Sequence, residues 1–318
     1  MKVSVISTVL NEEGSVGRLV DSLLNQTHKP DEIVIVDGGS RDATFSILQE
    51  FADRHSEINI FQVRGNISRG RNEAVKAAKY NIIAQIDGGC VAHEKWLERI
   101  IAPLEDKDIG LSAGFYVMTG DDPLQLAVAP FHGVTPRKFD PRNFLPSGRS
   151  VAFRKETWKI VGGYSEELQW AGEDTLFNYK VIKSNIKIAR VPEAYVYWEV
   201  PDTFALTIKK FFKYAIGDAE TGIWWHPGKN LSTHNIKIFT IFLRYFLAAL
   251  LFYLATFNAF FLCALILYLV VYTSWSMWKL RDEVDDLQAK LLIPLIQISS
   301  DIAIMAGFLV GGSRRLRR

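Results

Sequence analysis

Residues 2–14 read Lys2-Val-Ser-Val-Ile-Ser-Thr-Val-Leu-Asn-Glu-Glu-Gly14, a β-branched run that ends in an amide and two carboxylates. A short apolar run bounded by polar residues is the pattern of a buried strand, here Lys2–Thr8. Working outward, Glu32–Val36, Ile58–Val63 and Asn81–Ile86 repeat that pattern. Between them, Val16, Leu19, Val20, Leu23 and Leu24 recur at helical spacing, as do Ala43, Ile47, Leu48 and Phe51, and then Ala74, Val75, Ala77 and Ala78. Strands alternating with helices predict an α/β fold with a mostly parallel sheet covered on both faces. Ligands on such sheets bind at the carboxyl ends of the strands, so the residues after Thr8, Val36 and Ile86 are decisive. A dinucleotide-binding enzyme needs a G-x-G-x-x-G turn after the first strand, and that turn is absent here, as is a phosphate-loop lysine motif. Both readings fail.

The strand ends are acidic instead. Asn11 and Glu12 follow the first, Asp37-Gly-Gly-Ser40 the second, and Asp87-Gly-Gly89 the fourth. Carboxylates so placed can accept hydrogen bonds from a base or ribose, or hold a divalent cation that bridges phosphates. Asp37 or Asp87 taken singly also fits an Asx cap of the following turn.

Across 318 residues, 37 Lys+Arg against 35 Asp+Glu give a net charge of +2, which excludes a strongly basic nucleic-acid binder. Two cysteines, Cys90 and Cys263, support neither a disulfide scaffold nor a cysteine zinc site, and favour a reducing compartment. Met1 runs straight into the first strand with no signal-type leader, an expectation of a catalytic part on the cytoplasmic side. Residues 117–146 carry Gly120, Pro123, Pro130, Gly133, Pro136, Pro141 and Pro146 and read as a long loop region, expected to be a mobile part of a site. Beyond it, Ser150–Arg154 reads as a strand, Glu173–Lys183 as a helix and Lys187–Val200 as extended chain. Thr203–Ala215 places Phe204, Ile208, Phe211, Phe212 and Ala215 on one face and Lys209, Lys210 and Lys213 on the other, which suits a soluble amphipathic helix and, better, one lying in a membrane interface.

From Tyr245 to Trp278 there are 34 residues without a charge. At about 1.5 Å per residue they outrun a hydrocarbon core of about 30 Å, so they read as membrane helix, best as two spans near Ile238–Phe257 and Ala259–Trp278, with one long tilted span the alternative. Leu291–Gly312 is a third apolar stretch, interrupted by Pro294, Gln297 and Asp301, expected to be re-entrant or interfacial. Arg314, Arg315, Arg317 and Arg318 follow it, and basic flanks favour the cytoplasmic side. The expected organisation is a catalytic domain over 1–200, an interfacial helix and linker over 201–235, and a membrane region over 236–318.

The chain resembles the family 2 glycosyltransferases, inverting enzymes of the GT-A nucleotide-diphospho-sugar transferase fold. The resemblance covers about residues 1–225. It rests on Val5-Ile-Ser-Thr-Val-Leu-Asn-Glu12, Ile35-Val-Asp-Gly-Gly-Ser-Arg-Asp-Ala-Thr44, Arg69-Gly-Arg-Asn-Glu-Ala74, Ile86-Asp87, Phe153-Arg-Lys-Glu156, Gly162-Gly-Tyr164 and Gly172-Glu-Asp174, in that order. The resemblance implies donor contacts from Asn11, Glu12, Asp37, Arg69, Arg71 and Asp87, with Asp37 at the nucleobase, Glu12 at the ribose and Arg71 at the diphosphate. It implies Asp174 as the general base, with Glu173 the nearer alternative. It also implies a divalent cation, Mg²⁺ or Mn²⁺, on Asp87. The family's D-x-D, however, is Asp87-Gly88-Gly89 here, so the second carboxylate is missing and Arg69, Arg71 or Arg149 could share the neutralisation of the diphosphate. Trp170 is a candidate platform for an acceptor sugar and, equally, a core aromatic. Trp224-Trp225-His226 stands where polymerising relatives carry Gln-x-x-Arg-Trp, which disfavours processive synthesis.

These readings converge on a non-processive transferase anchored in the cell membrane. It would move one sugar from a nucleotide-diphosphate donor to a lipid-linked, polyprenyl acceptor at the cytoplasmic face, in surface polysaccharide or glycan biosynthesis, with membrane lipid as a partner and no nucleic acid. The rivals are a polyprenyl-phosphate sugar synthase, whose acceptor needs no general base, and a catalytically silent scaffold that keeps the fold.

Overall fold

The computed structural model describes residues 1–168, 170–222 and 234–317. The chain forms two compact units, Met1–Met118 with Phe139–Glu199, and Thr119–Lys138 with Val200–Arg318.

In the first unit, β1 (Val3–Val9), α1 (Val16–Leu24), β2 (Glu32–Asp37), α2 (Thr44–Arg54), β3 (Ile58–Gln62), α3 (Ile67–Ala77), β4 (Ile82–Gln85), β5 (Cys90–Ala92), α4 (Trp96–Ile101) and β6 (Ile109–Thr119) follow in order. After α5 (Pro123–His132), which belongs to the second unit, come β7 (Val151–Arg154), α6 (Lys155–Ile160), α7 (Glu173–Lys183) and β8 (Lys187–Glu199). One eight-stranded sheet runs β3-β2-β1-β4-β7-β6-β8-β5. It is parallel across its first four strands and turns antiparallel at β4–β7 and β7–β6. The expected parallel sheet is therefore one half of a mixed one.

Val3, Val5 and all of Ile33–Val36 are fully buried, an unbroken apolar run rather than an alternation, because helices cover both faces. Register then fixes the site. Val9 pairs with Asp37 and Ile6 with Gln85, so the segments after β1, β2 and β4 emerge side by side on one edge.

Two stretches differ from the sequence reading. β6 is an 11-residue strand that the sequence reading did not single out, with Gly110 and Gly114 diluting its apolar pattern. Both glycines are packed close: a Cβ at Gly114 would lie 2.9 Å from Ile100 Cδ1. The expected loop over 117–146 contains α5, whose start is capped by Asp122 accepting from the Gln125 amide at 2.9 Å. Pro123 sits in its first turn, where no intrahelical donor is needed. What remains irregular is pinned, with Phe139 and Phe144 packing on Phe115 at 5.4 and 5.3 Å between ring centres.

The second unit is helical. To α5 it adds α8 (Phe204–Thr221), α9 (His234–Ala255), α10 (Ala259–Trp278) and α11 (Leu287–Leu316). α9, α10 and α11 are each long and apolar enough to cross a membrane. α9 and α10 form a hairpin whose Phe252, Phe257 and Phe260 are 67%, 71% and 70% exposed, a surface that only lipid would solvate favourably. The apolar stretch expected over 291–312 lies inside one continuous helix of 30 residues, α11. Its capping residue, Asp286, accepts from the Ala289 amide at 2.7 Å. α11 is far better packed than the hairpin. Ala289, Ile293, Ile296 and Ala303 join Ala127 and Val128 of α5, Phe211 of α8, and Leu280 and Val284 in one core. Gly307 and Gly311 let α8 come close, since a Cβ at either would sit 2.9 Å from Ala215 Cβ or 2.8 Å from Ala219 Cβ.

Candidate active site

The β1–α1 and β2–α2 segments clasp each other through side chains. Asn11, held at a positive φ of 55°, accepts from the Arg41 amide at 2.9 Å, and its own amide donates to Ser40 Oγ at 2.8 Å. The Glu12 amide donates to Thr44 Oγ1 at 2.7 Å, and the Glu12 carboxylate accepts from Ser15 Oγ. Asp37 is fully buried and accepts from the Ser40 amide at 3.1 Å, from Ser40 Oγ at 2.5 Å and from Gln62 Nε2 at 2.6 Å. These bonds are those of an Asx cap.

Asp87 and Glu173 are joined by one buried cation. Arg71, on α3 and 2% exposed, donates from Nη2 to Asp87 Oδ1 at 2.5 Å and from Nη1 to Glu173 Oε1 at 2.6 Å. Its guanidinium lies 5.3 Å from the centre of the Tyr164 ring. Burial works against the charge on Arg71, but Asp87 and Glu173 hold the group firmly protonated. Burial pushes the Glu173 carboxyl above its usual range; Arg71 opposes the rise and Asp174 adds to it. Both terminal nitrogens of Arg71, the residue expected at a diphosphate, donate to carboxylates in this structure. Arg69, two residues earlier, is exposed, and its amide caps back to Asn66 Oδ1 at 3.0 Å.

Asp174, in the first turn of α7, is more open. Its Oδ2 accepts from the Gly148 amide at 3.2 Å and its Oδ1 from the Thr175 amide at 2.6 Å. Gly148 is the close-approach point of the site. A Cβ there would strike the Arg71 guanidinium and lie 2.9 Å from Asp87 Oδ1, so only glycine fits between Asp87 and Asp174. Its carbonyl accepts from Gln85 Nε2 at 3.1 Å, while Tyr164 donates to Gln85 Oε1 at 2.8 Å. Asn178 Nδ2 fixes the same segment by donating to Pro146 O at 2.7 Å. Arg149 stacks 3.7 Å over Trp198 and 5.2 Å from Tyr116. Trp170 is 40% exposed.

The sequence reading missed Gly148 and Gln85, and it quoted Tyr164 within Gly162-Gly-Tyr164 without giving it a role. Gln85 carried a signal, being a polar residue inside the apolar run of β4. Trp224–His226 lie outside the described residues.

For a divalent cation, Asp87 Oδ2 is the carboxylate oxygen that Arg71 leaves over. Gly89 contributes no side chain, but the Glu12 carboxylate comes within 3.4 Å of where its Cβ would stand. An ion such as Mg²⁺ needs few carboxylates, since it keeps water and takes phosphate oxygens. Among the described residues no group of three or more His, Cys, Asp or Glu side chains converges.

The sequence pattern of the family described as "Glycosyl transferase family 2" matches residues 4–161, and that of "Glycosyl transferase family group 2" matches residues 83–280. The uncharacterized glycosyltransferase EpsJ of Bacillus subtilis is 24% identical over 214 residues, 63% of this chain and 62% of that protein. Glycosyltransferase AglE of Haloferax volcanii is 29% identical over 117 residues, 35% of this chain and 38% of its own length. The chain therefore spans less than two thirds of either relative. Among solved structures, the mannosyltransferase PcManGT from Pyrobaculum calidifontis in complex with GDP-Man and Mn²⁺ is 17% identical, with a TM-score of 0.57, covering 99% of this chain and 87% of that one. The structure of GalNAc-T7 with UDP, GalNAc and Mn²⁺ aligns over 72% of this chain and 48% of its own, at 17% identity and a TM-score of 0.54. Both likenesses are of fold.

Proposed function

The chain belongs to glycosyl transferase family 2, and from that membership we propose that it transfers a single sugar, with inversion, from a nucleotide-diphosphate sugar to a lipid-linked acceptor at the cytoplasmic membrane face. The observation that carries this reading is the width of one glycine. Gly148 separates Asp174, to which its amide donates, from Asp87, beside which its α-carbon lies. A donor-side carboxylate and an acceptor-side carboxylate thus share one small site, as displacement at a single carbon requires.

In this mechanism Asp174 takes the proton of the acceptor hydroxyl as that oxygen bonds to the anomeric carbon. The bond from that carbon to the diphosphate oxygen breaks on the opposite face, and nucleoside diphosphate leaves. Asn11, Glu12 and Asp37 edge the nucleoside end through the two clasped segments. Arg69 supplies an exposed cation for the diphosphate. Arg71 positions Asp87 and Glu173 rather than touching the donor. A divalent cation on Asp87, with Glu12 beside it, would neutralise charge on the leaving diphosphate. Trp170 offers a face on which an acceptor sugar can stack.

The test is release of nucleoside diphosphate by the full chain in lipid, across UDP- and GDP-sugars, with Mn²⁺, Mg²⁺ or chelator. Sugar-dependent release that falls by about 10²–10⁴ in Asp174→Asn supports the reading. Release unchanged in that variant would instead point to an acceptor that is already ionised, a polyprenyl phosphate. No release from any donor, with acceptor lipid supplied, would sink the transferase.

A further inference from the structure

The second unit carries a polar seam that the proposed chemistry does not use. Arg244 of α9 donates from Nη1 to Asp301 Oδ2 of α11 at 3.0 Å and to the Tyr272 hydroxyl of α10 at 3.0 Å. Tyr272 also donates to Asp301, and Gln297 Nε2 donates to the other Asp301 oxygen at 2.8 Å. Lys279 donates to Gln297 Oε1 and lies 4.7 Å from the centre of the Trp275 ring. The Asp301 side chain, 2% exposed, is thereby fully matched.

Arg244 is not. Its Nε and Nη2, with three N–H groups between them, have no hydrogen-bond partner among the described residues, and its side chain keeps 20% of its surface. The ring faces of Tyr272 and Trp275, at 4.9 and 5.1 Å, hold the guanidinium in place.

Depth selects the ligand. Arg244 stands six residues inside the apolar span that begins at Ile238, about 9 Å along the helix. Tyr272, Trp275, Trp278, Lys279 and Arg281 cluster toward the end of α10, the aromatic and basic composition of a membrane–water boundary. At that depth in a bilayer no bulk water lies beside a guanidinium, so its remaining donors are met by what snorkelling reaches, the phosphate layer. A guanidinium edge presents paired N–H groups that match two phosphate oxygens.

We propose that Arg244 is a binding site for the phosphate of a membrane lipid, held open toward the bilayer by its bond to Asp301 and its stacking on Tyr272 and Trp275. This rests on reading α9 and α10 as membrane helices and is independent of the transferase reading. Bulk anionic phospholipid and a polyprenyl phosphate share the chemistry.

The experiment is native mass spectrometry of the full chain released from detergent, without nucleotide sugar, after titration with phosphatidylglycerol, polyprenyl phosphate, the corresponding polyprenol or inorganic phosphate. Wild type should retain one or both phosphate lipids and neither polyprenol nor free phosphate. Arg244→Gln should weaken retention by about tenfold or more. Because that change strands Asp301, two further variants separate lipid binding from folding. Asp301→Asn keeps Arg244 and should retain the lipid, whereas Arg244→Gln/Asp301→Asn removes both charges and should lose it. Equal retention in Asp301→Asn and the double variant, or polyprenol bound as well as its phosphate, would overturn the proposal. Retention of lipid with no sugar transfer from any donor would count against the transferase reading alone.

Discussion

Replacing Arg71 with methionine probes the buried junction of the first unit. Methionine keeps much of the volume but removes the cation shared by Asp87 and Glu173. Asp87 is 22% exposed in its side chain and can turn to water, so most of the cost falls on Glu173, at 8%. Stranding one partner of a buried pair costs about 3–5 kcal/mol. For a unit of this size, that lowers Tm by roughly 6–20 °C. The cost depends on pH, and its sign follows from linkage. Burial already raises the Glu173 carboxyl above its ordinary 4.5, and losing Arg71 removes the opposing influence, so the folded variant holds that proton to still higher pH. A folded state that binds more protons than the unfolded one loses stability as pH rises. The Arg71→Met deficit should therefore be smallest near pH 5 and grow toward pH 8. Adding Glu173→Gln should recover much of it and flatten the dependence. The assay is thermal unfolding of the full chain in detergent, followed by tryptophan fluorescence, across that pH range for both variants. A Tm loss under about 3 °C at pH 7, or a deficit that Glu173→Gln leaves unchanged, would refute the argument.

Further outcomes follow from single contacts. Gly148→Ala places a methyl group on the Arg71 guanidinium and should cut nucleotide release by at least about tenfold while costing about 1–3 kcal/mol in the same melt. Asn66→Ala removes the acceptor for the Arg69 amide at the start of α3 and should cost about 0.5–2 kcal/mol, read as a Tm shift. Gly307→Leu should drive α8 from α11 and appear as faster proteolysis within Phe204–Thr221 in detergent, whereas Gly312→Leu, where nothing lies within 4 Å, should not. Glu12→Gln should weaken Mn²⁺ binding measured by electron paramagnetic resonance if that carboxylate stands in for the side chain missing at Gly89; unchanged binding would confine the cation to Asp87.

Much of the first unit was legible because its strands are dense in β-branched residues and its acids fall where parallel strands end. The helix from about Glu173 to Lys183 was legible, since a carboxylate pair at the first turn and lysines at the last agree with the helix dipole. The different burial of Arg69 and Arg71 was not. Both stand in one short motif, yet two residues along a helix is about 200° of rotation, so they face opposite ways and one is buried while the other meets solvent.

The sequence by itself determined the α/β class, the acidic edge of the sheet and the apolar helices, because each follows from local period and from what water or lipid will tolerate. Only the tertiary structure decided that Asp87 and Glu173, 86 positions apart, share one cation, that Gly148 is the gap between two carboxylates, and that Arg244 meets Asp301 across 57 positions. Those pairings depend on which faces of distant segments are pressed together. A chain encodes that through the summed packing of its whole core, not through any local run of residues.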